Sequence, residues 1–149
     1  MTTIVADVKR GVMAADSRVT TFSDLTQYST EKLYRIGKSI YGEAGDVENS
    51  LKFRRWVQDG QLKKGKPSFK YDNDSNFLIL ELSTDGLWLW DYTVVRQRLT
   101  EEVFAIGSGH KIALYAVRVL GKTAEQAIEE AAKIDIHTAP PVQVLKLVE

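Results

Sequence analysis

Thr2 carries a hydroxyl directly behind the initiator methionine. Once Met1 is removed, Thr2 holds a hydroxyl and a free amine on adjacent carbons, a nucleophile with its own base. A hydroxyl attacks poorly until a base takes its proton. An α-amine titrates near ~7.7–8.0, low enough to serve as that base around neutral pH. A small second residue is also an ordinary way for a chain to begin, and Thr2 alone does not decide between these readings. Asp16 and Lys32 bear on the choice. A buried lysine beside the amine keeps it neutral by like-charge repulsion and favours an alkoxide, while an aspartate keeps that lysine charged and in place. The plainer reading of the pair is two solvated strand-end charges. Gly45-Asp46 adds a third element. A glycine at a strand-to-helix turn directs backbone N–H groups to a place where an oxyanion can sit, or is simply the residue the turn requires.

Other constellations are weaker. Ser108, His137 and Asp135 can be written as a triad, but neither a nucleophile elbow nor an oxyanion motif accompanies them. His110 and His137 are the two histidines, and they lack the paired spacing of a metal site. With no cysteine in the chain, there is no disulfide framework and no thiolate site. No metal or cofactor is expected. Gly107-Ser108-Gly109 reads as another strand-to-helix turn, not a dinucleotide fingerprint or P-loop. Trp56, Trp88 and Trp90 read as core or interface packing.

These residues must be positioned by a regular framework. Thr2–Val8 and Val12–Ser17 predict a hairpin around Lys9-Arg10-Gly11, and Lys32–Ile36 and Ser39–Ala44 a second around Gly37-Lys38. Thr20–Thr30 is polar and reads as loop. Val47–Asp59 predicts a helix with Asp46 as N-cap. Gly60–Asn76 lacks periodicity and reads as a long loop. Phe77–Leu82 and Leu87–Tyr92 predict a third hairpin around Asp85-Gly86, apolar on nearly every residue and so covered on both faces. Val103–Ile106 is a strand, Lys111–Leu120 and Ala124–Asp135 are amphipathic helices, and Val142–Val148 is a last strand. Thr123 and Gln126 have capping-box spacing. The order β-β-β-β-α-β-β-β-α-α-β predicts mixed sheets with helices outside, most simply a layered α+β sandwich.

A length of 149 residues predicts one domain, 1–149, burying about two-thirds of its unfolded surface. Twenty basic residues balance twenty acidic ones, so no electrostatic footprint points to nucleic acid or an anionic membrane. No apolar run approaches the ~18 residues of a membrane span, and Asp7 and Asp16 interrupt the stretch where a signal peptide would lie. The chain is expected to be cytoplasmic.

The blocks Thr2-Thr3-Ile4-Val5-Ala6, Gly11-Val12-Met13-Ala14-Ala15-Asp16-Ser17-Arg18, Lys32-Leu33-Tyr34-Arg35-Ile36, Ala44-Gly45-Asp46 and Ala105-Ile106-Gly107-Ser108-Gly109 follow in order along nearly the whole chain. Together they resemble the proteasome β-subunit family of N-terminal-nucleophile hydrolases. The flavour is nearest to the bacterial proteasome-like peptidase that works with an ATP-dependent unfoldase. The resemblance implies a four-layer αββα sandwich and a threonine-type endopeptidase acting through an acyl-enzyme. It implies Thr2 as nucleophile, Lys32 tuning its amine, Asp16 orienting Lys32 and the Gly45 N–H as oxyanion donor. Ser108, Asp135 and Thr138 match the supporting hydrogen bonds around the N-terminus, leaving His137 incidental. Val19, Thr20, Thr30 and Glu43 match the walls of the main specificity pocket, where a carboxylate would favour a basic residue before the scissile bond. The implied partners are peptide or unfolded-protein substrates, further copies of the chain in a homo-oligomeric ring, and an unfoldase.

The chain departs from the family in two ways. Gly60–Asn76 reads as loop where one outer layer is expected to have a second helix, so that layer is reduced. No propeptide beyond Met1 is seen, so activation is expected to rely on methionine aminopeptidase. Two other readings share the fold. A catalytically silent assembly subunit would lack the Thr/Asp/Lys set kept here. A small-molecule amidase would need a closed, monomer-scale pocket.

Overall fold

A computed structural model describes residues 2–20, 27–60, 67–69 and 76–148. In chain order the elements are β1 (Thr3–Asp7), β2 (Val12–Ala15), β3 (Arg18–Thr20), β4 (Gln27–Ser29), β5 (Leu33–Ile36), β6 (Ser39–Gly45), α1 (Val47–Gln58), β7 (Phe77–Ser83), β8 (Gly86–Trp90), β9 (Gln97–Leu99), β10 (Val103–Gly107), α2 (His110–Arg118), α3 (Ala124–Ala132) and β11 (Gln143–Lys146). The fold is mixed α+β. One sheet has the order β10-β1-β2-β11, a second β5-β6-β7-β8-β9, and β3 pairs with β4. The pairings are antiparallel throughout.

Alternation along the strands sorts the core. Successive side chains of a strand point to opposite faces. From β1 and β2, Ile4, Ala6, Met13 and Ala15 pack with Leu33, Ile40, Leu80 and Leu82 of the five-stranded sheet. Val5 and Ala14 turn the other way, onto Ala113 and Ala116 of α2 and Ala127, Ile128 and Ala131 of α3. Small side chains at this contact let the helices approach closely. Helix α1 buries Phe53 and Trp56 against Tyr41, Ile79 and Trp90. The Phe53 and Trp90 rings meet edge-on, 5.2 Å apart, and truncating Phe53 to alanine would cost about 3–5 kcal/mol.

Several local expectations hold. Asp46 caps α1 by accepting the Asn49 amide at 2.7 Å, and Thr123 and Gln126 form a capping box. Others shift. Thr20–Thr30 was expected to be loop; instead Arg18–Thr20 pairs with Gln27–Ser29, Val19 opposite Tyr28, and residues 21–26 lie outside the described residues. Gln97–Leu99 adds an unpredicted edge strand. These pieces are three residues each with a single apolar side chain, short as edge strands commonly are, so no periodic signal marks them. The β2 ladder stops at Ala15, α2 spans His110–Arg118, α3 ends at Ala132, and β8 and β11 are shorter than predicted. The early end of α3 matters, because it leaves Asp135 in the turn that follows. Of the predicted Gly60–Asn76 loop, residues 61–66 and 70–75 lie outside the described residues, and the reduced outer helix layer falls there too. Phe69 stacks edge-on against Phe77 at 4.8 Å. Strand β7 is less apolar than its reading: Glu81 is buried within it, satisfied by Ser39, Trp90 and Arg96. Among the described residues no helix is long and apolar enough to cross a membrane.

Candidate active site

Thr2 immediately precedes β1 and is buried. Its carbonyl accepts the Ser108 amide at 2.7 Å. This close approach explains the glycine before Ser108. Gly107 has φ +95°, and a Cβ there would collide with the Thr2 carbonyl. Both conditions exclude an ordinary side chain.

Asp16 follows β2 with its carboxylate fully buried, and four donors satisfy it. Oδ1 accepts the Thr3 amide at 3.0 Å and Lys32 Nζ at 2.8 Å. Oδ2 accepts the amides of Arg18 at 3.2 Å and Ala139 at 3.1 Å. Lys32 precedes β5 and is 3% exposed. Its ammonium also donates to the Arg18 carbonyl at 2.5 Å. Burial lowers the Lys32 pKa; Asp16 pulls it back up without fully compensating, and the Arg18 charge lowers it further. The lysine therefore holds its proton less tightly than a solvated one.

A second cluster ties the start of β1 to the turns around α2 and α3. Ser108 Oγ and Thr138 Oγ1 both donate to Asp135 Oδ2, at 2.6 and 2.5 Å. Thr138 Oγ1 lies 2.6 Å from Thr3 Oγ1. A hydroxyl has one proton, and that of Thr138 is used on Asp135, so Thr3 is the donor here. Thr3 Oγ1 accepts in turn from the Gly109 amide at 3.0 Å. The bonds run one way, from Gly109 through Thr3 and Thr138 to Asp135. Burial raises the Asp135 pKa, but the bonds from Ser108, Thr138 and the His137 amide outweigh it and leave it lowered. Ser108 reaches Asp135 directly and His137 contributes its backbone N–H, so the Ser-His-Asp arrangement is not formed.

Two cavities meet at this point, and Thr2 and Gly45 line both. The smaller, about 110 Å³, is walled by Val19, Thr30, Lys32, Glu43 and Arg54. The larger, about 370 Å³, is walled by Ala44, Phe77, Leu78, Tyr92 and Ser108. Thr20 lines neither; its hydroxyl oxygen is buried with no hydrogen-bond partner among the described residues. Glu43 is not a lone carboxylate. Arg54 Nη2 donates to it at 2.9 Å, and the Arg54 guanidinium lies 4.1 Å from the centre of the Tyr34 ring. Burial pushes the Glu43 carboxyl up to about 7, more than Arg54 pulls it down. The expected basic preference assumed an unopposed negative charge, and Arg54 offsets it.

The structure thus brings Thr2, Lys32 and Gly45 to one cavity wall with Asp16 behind the lysine, and gathers Ser108, Asp135 and Thr138 behind Thr2 and Thr3. Val19, Thr30 and Glu43 line the smaller cavity as expected; Thr20 does not. Three participants escaped the sequence reading: Thr3, Arg54 and Gln143. Arg54 had a local signal, because Val47, Ser50, Leu51 and Arg54 follow the i, i+3, i+4, i+7 spacing of one helix face and all line the cavity. Gln143 had none. Among the described residues no cluster of three or more histidines or carboxylates could hold a metal ion.

No protein-family model matches the chain, and no curated protein matches it in sequence. Solved structures do. Eukaryotic HslV from Trypanosoma brucei aligns over 97% of this chain and 99% of its own, with TM-score 0.68 and 21% identity. Thiobacillus denitrificans BPH in complex with epoxomicin aligns over 99% of both chains, with TM-score 0.66 and 20% identity. Anbu, an ancestral β-subunit, from Yersinia bercovieri aligns over 97% of this chain and 81% of its own, with TM-score 0.69 and 15% identity. At these identities the likeness is one of fold, and it extends over nearly the whole chain.

Proposed function

We propose that this chain is a threonine-type endopeptidase with Thr2 as its nucleophile. The observation that carries the reading is the placement of Thr2 and Gly45 where two cavities meet, beside a buried lysine held by a fully satisfied aspartate. While Met1 remains, the Thr2 nitrogen is an amide without a basic lone pair. After its removal the α-amine takes the Oγ1 proton, and Oγ1 attacks the peptide carbonyl carbon. The carbonyl electron pair moves onto its oxygen. The ammonium then returns a proton to the leaving nitrogen as the C–N bond breaks, giving an ester on Thr2. Water, deprotonated by the same amine, cleaves that ester and restores the hydroxyl.

Gly45 supplies the oxyanion donor. The Glu43 amide donates to the Lys32 carbonyl at 3.0 Å. N–H groups alternate sides along a strand, so the Gly45 N–H is directed to the same side, beyond the start of β5. Removing one such donor typically costs 10²–10³-fold in kcat. Lys32 keeps the neighbouring amine neutral, and Asp16 holds Lys32.

The same reading takes the two facing sheets with helices outside as a single four-layer αββα domain, in which α1 covers the five-stranded sheet among the described residues. It takes the working state as a homo-oligomeric ring served by an ATP-dependent unfoldase. Epoxomicin bound to Thiobacillus denitrificans BPH suggests the probe. Intact mass should show loss of Met1 and a single adduct with a peptide epoxyketone, abolished by Thr2→Ala. Retained methionine without an adduct would sink the proposal.

A further inference from the structure

We propose that the larger cavity is a subsite for an apolar side chain on the leaving side of the scissile bond, with Leu78 setting its preference. This rests on the reading of Thr2 as the nucleophile. A carbonyl poised between Thr2 and Gly45 has one neighbouring side chain toward each cavity, because these two residues form the shared wall. The two sides differ in chemistry. The smaller cavity presents Lys32, Glu43 and Arg54, and is taken here as the acyl side. The larger presents Ala44, Phe77, Leu78 and Tyr92, with Ser108 beside Thr2. Its volume of about 370 Å³ accommodates a large aliphatic or aromatic side chain, near the lower end of the usual range for small-ligand pockets, about 300–1,000 Å³.

Leu78 is anomalous within its strand. Phe77, Ile79 and Leu80 are buried, yet Leu78 is 37% exposed. It lies opposite Ala44 in the β6–β7 register, on the face that further along carries Leu80 and Leu82 into the core. At this end of the sheet the apolar face continues into the cavity, with Leu78 uncovered. An apolar substrate side chain would remove that surface from water. Asp91 adds selectivity at the edge of the cavity. Its Oδ1 is held by the amide and hydroxyl of Thr93, at 2.9 and 2.5 Å, and its negative charge opposes an acidic residue there.

The test is a panel of internally quenched peptides varying only the residue after the scissile bond, with epoxyketone labelling as a second readout. The epoxyketone places its side chains on the acyl side, so it reads the nucleophile without the subsite. Wild type should prefer Leu or Phe over Asp by about 10-fold or more in kcat/KM. Leu78→Lys should erase or reverse that preference while Thr2 still takes a single epoxyketone adduct. Leu78→Ala, a milder change, should narrow the preference severalfold and carries the test if the lysine variant does not fold. A flat wild-type panel with normal labelling overturns the subsite alone. Absent labelling of wild type overturns the nucleophile reading and the subsite with it. Dissociation of an oligomer by Leu78→Lys would make the cavity a subunit contact and also overturns the proposal.

Discussion

The side-chain oxygen of Gln143 accepts the backbone amide of Lys32 at 2.8 Å, so the last strand fixes where the buried lysine begins. The Gln143 nitrogen donates to the Thr30 carbonyl and to Ser17 Oγ, each at 2.7 Å, and Ser17 passes its own proton to the Pro141 carbonyl at 2.5 Å. The Lys32 N–H can only donate and the Thr30 carbonyl can only accept, which settles which end of the amide is oxygen. Gln143→Ala should therefore loosen Lys32 without touching substrate. Peptidase assays should show kcat lowered about 10-fold or more with KM changed less. A change in KM alone would contradict the positioning role.

Asp16 and Lys32 should be unequal in stability. Without Lys32, Asp16 still accepts three backbone amides. Without Asp16, those amides lose their acceptor and a buried ammonium loses its carboxylate. Asp16→Ala should cost about 3–5 kcal/mol and Lys32→Met about 1–2 kcal/mol. Urea unfolding measures both, and equal losses would refute the asymmetry.

Glu43 makes the smaller cavity pH-dependent. Its carboxyl is raised to about 7, so below that it is mostly neutral and the charges of Arg54 and Lys32 dominate, with Glu31 the other carboxylate on the wall. Above it, the carboxylate offsets Arg54. Cleavage of peptides with an acidic residue before the scissile bond should fall, relative to neutral ones, as pH rises through about 7. Glu43→Gln should flatten that dependence in kcat/KM profiles. The stability effect has the same sign. A raised folded pKa contributes stability below the unfolded value near 4.5, and that contribution is lost as pH climbs to about 7.

Thr3 should matter through its hydroxyl. Thr3→Val keeps the shape but leaves the buried Gly109 amide without its acceptor and Thr138 without its donor. The expected loss is about 1–3 kcal/mol, read as a lowered Tm, with Thr3→Ser restoring most of it. Equal melting of the valine variant and wild type would show that the hydroxyl chain contributes nothing.

What could be read along the chain was what neighbours in sequence decide. The β1–β2 hairpin, the Asp46 cap and the Thr123–Gln126 capping box follow from alternation and spacing over a few residues. The residue set Thr2, Asp16, Lys32, Gly45 and Ser108 stood out as motifs. The β3–β4 ribbon did not, because Arg18–Thr20 and Gln27–Ser29 each offer one apolar residue in three, too short a run to show a period. Neither did the end of α3, where three residues decide whether Asp135 sits on a helix or in the turn that meets Ser108.

The sequence by itself determined which chemistries were present and the period of each long element, since hydroxyls, charges and alternation are local properties. Only the tertiary structure decided which groups meet. Gln143 reaches Lys32 across 111 positions, Thr3 meets Thr138 across 135, and Arg54 meets Glu43 across a strand-to-helix turn. Such pairings are selected by the folded backbone's close approaches; the helix-face spacing marked which way Arg54 points, but no local pattern named the partner of any of them.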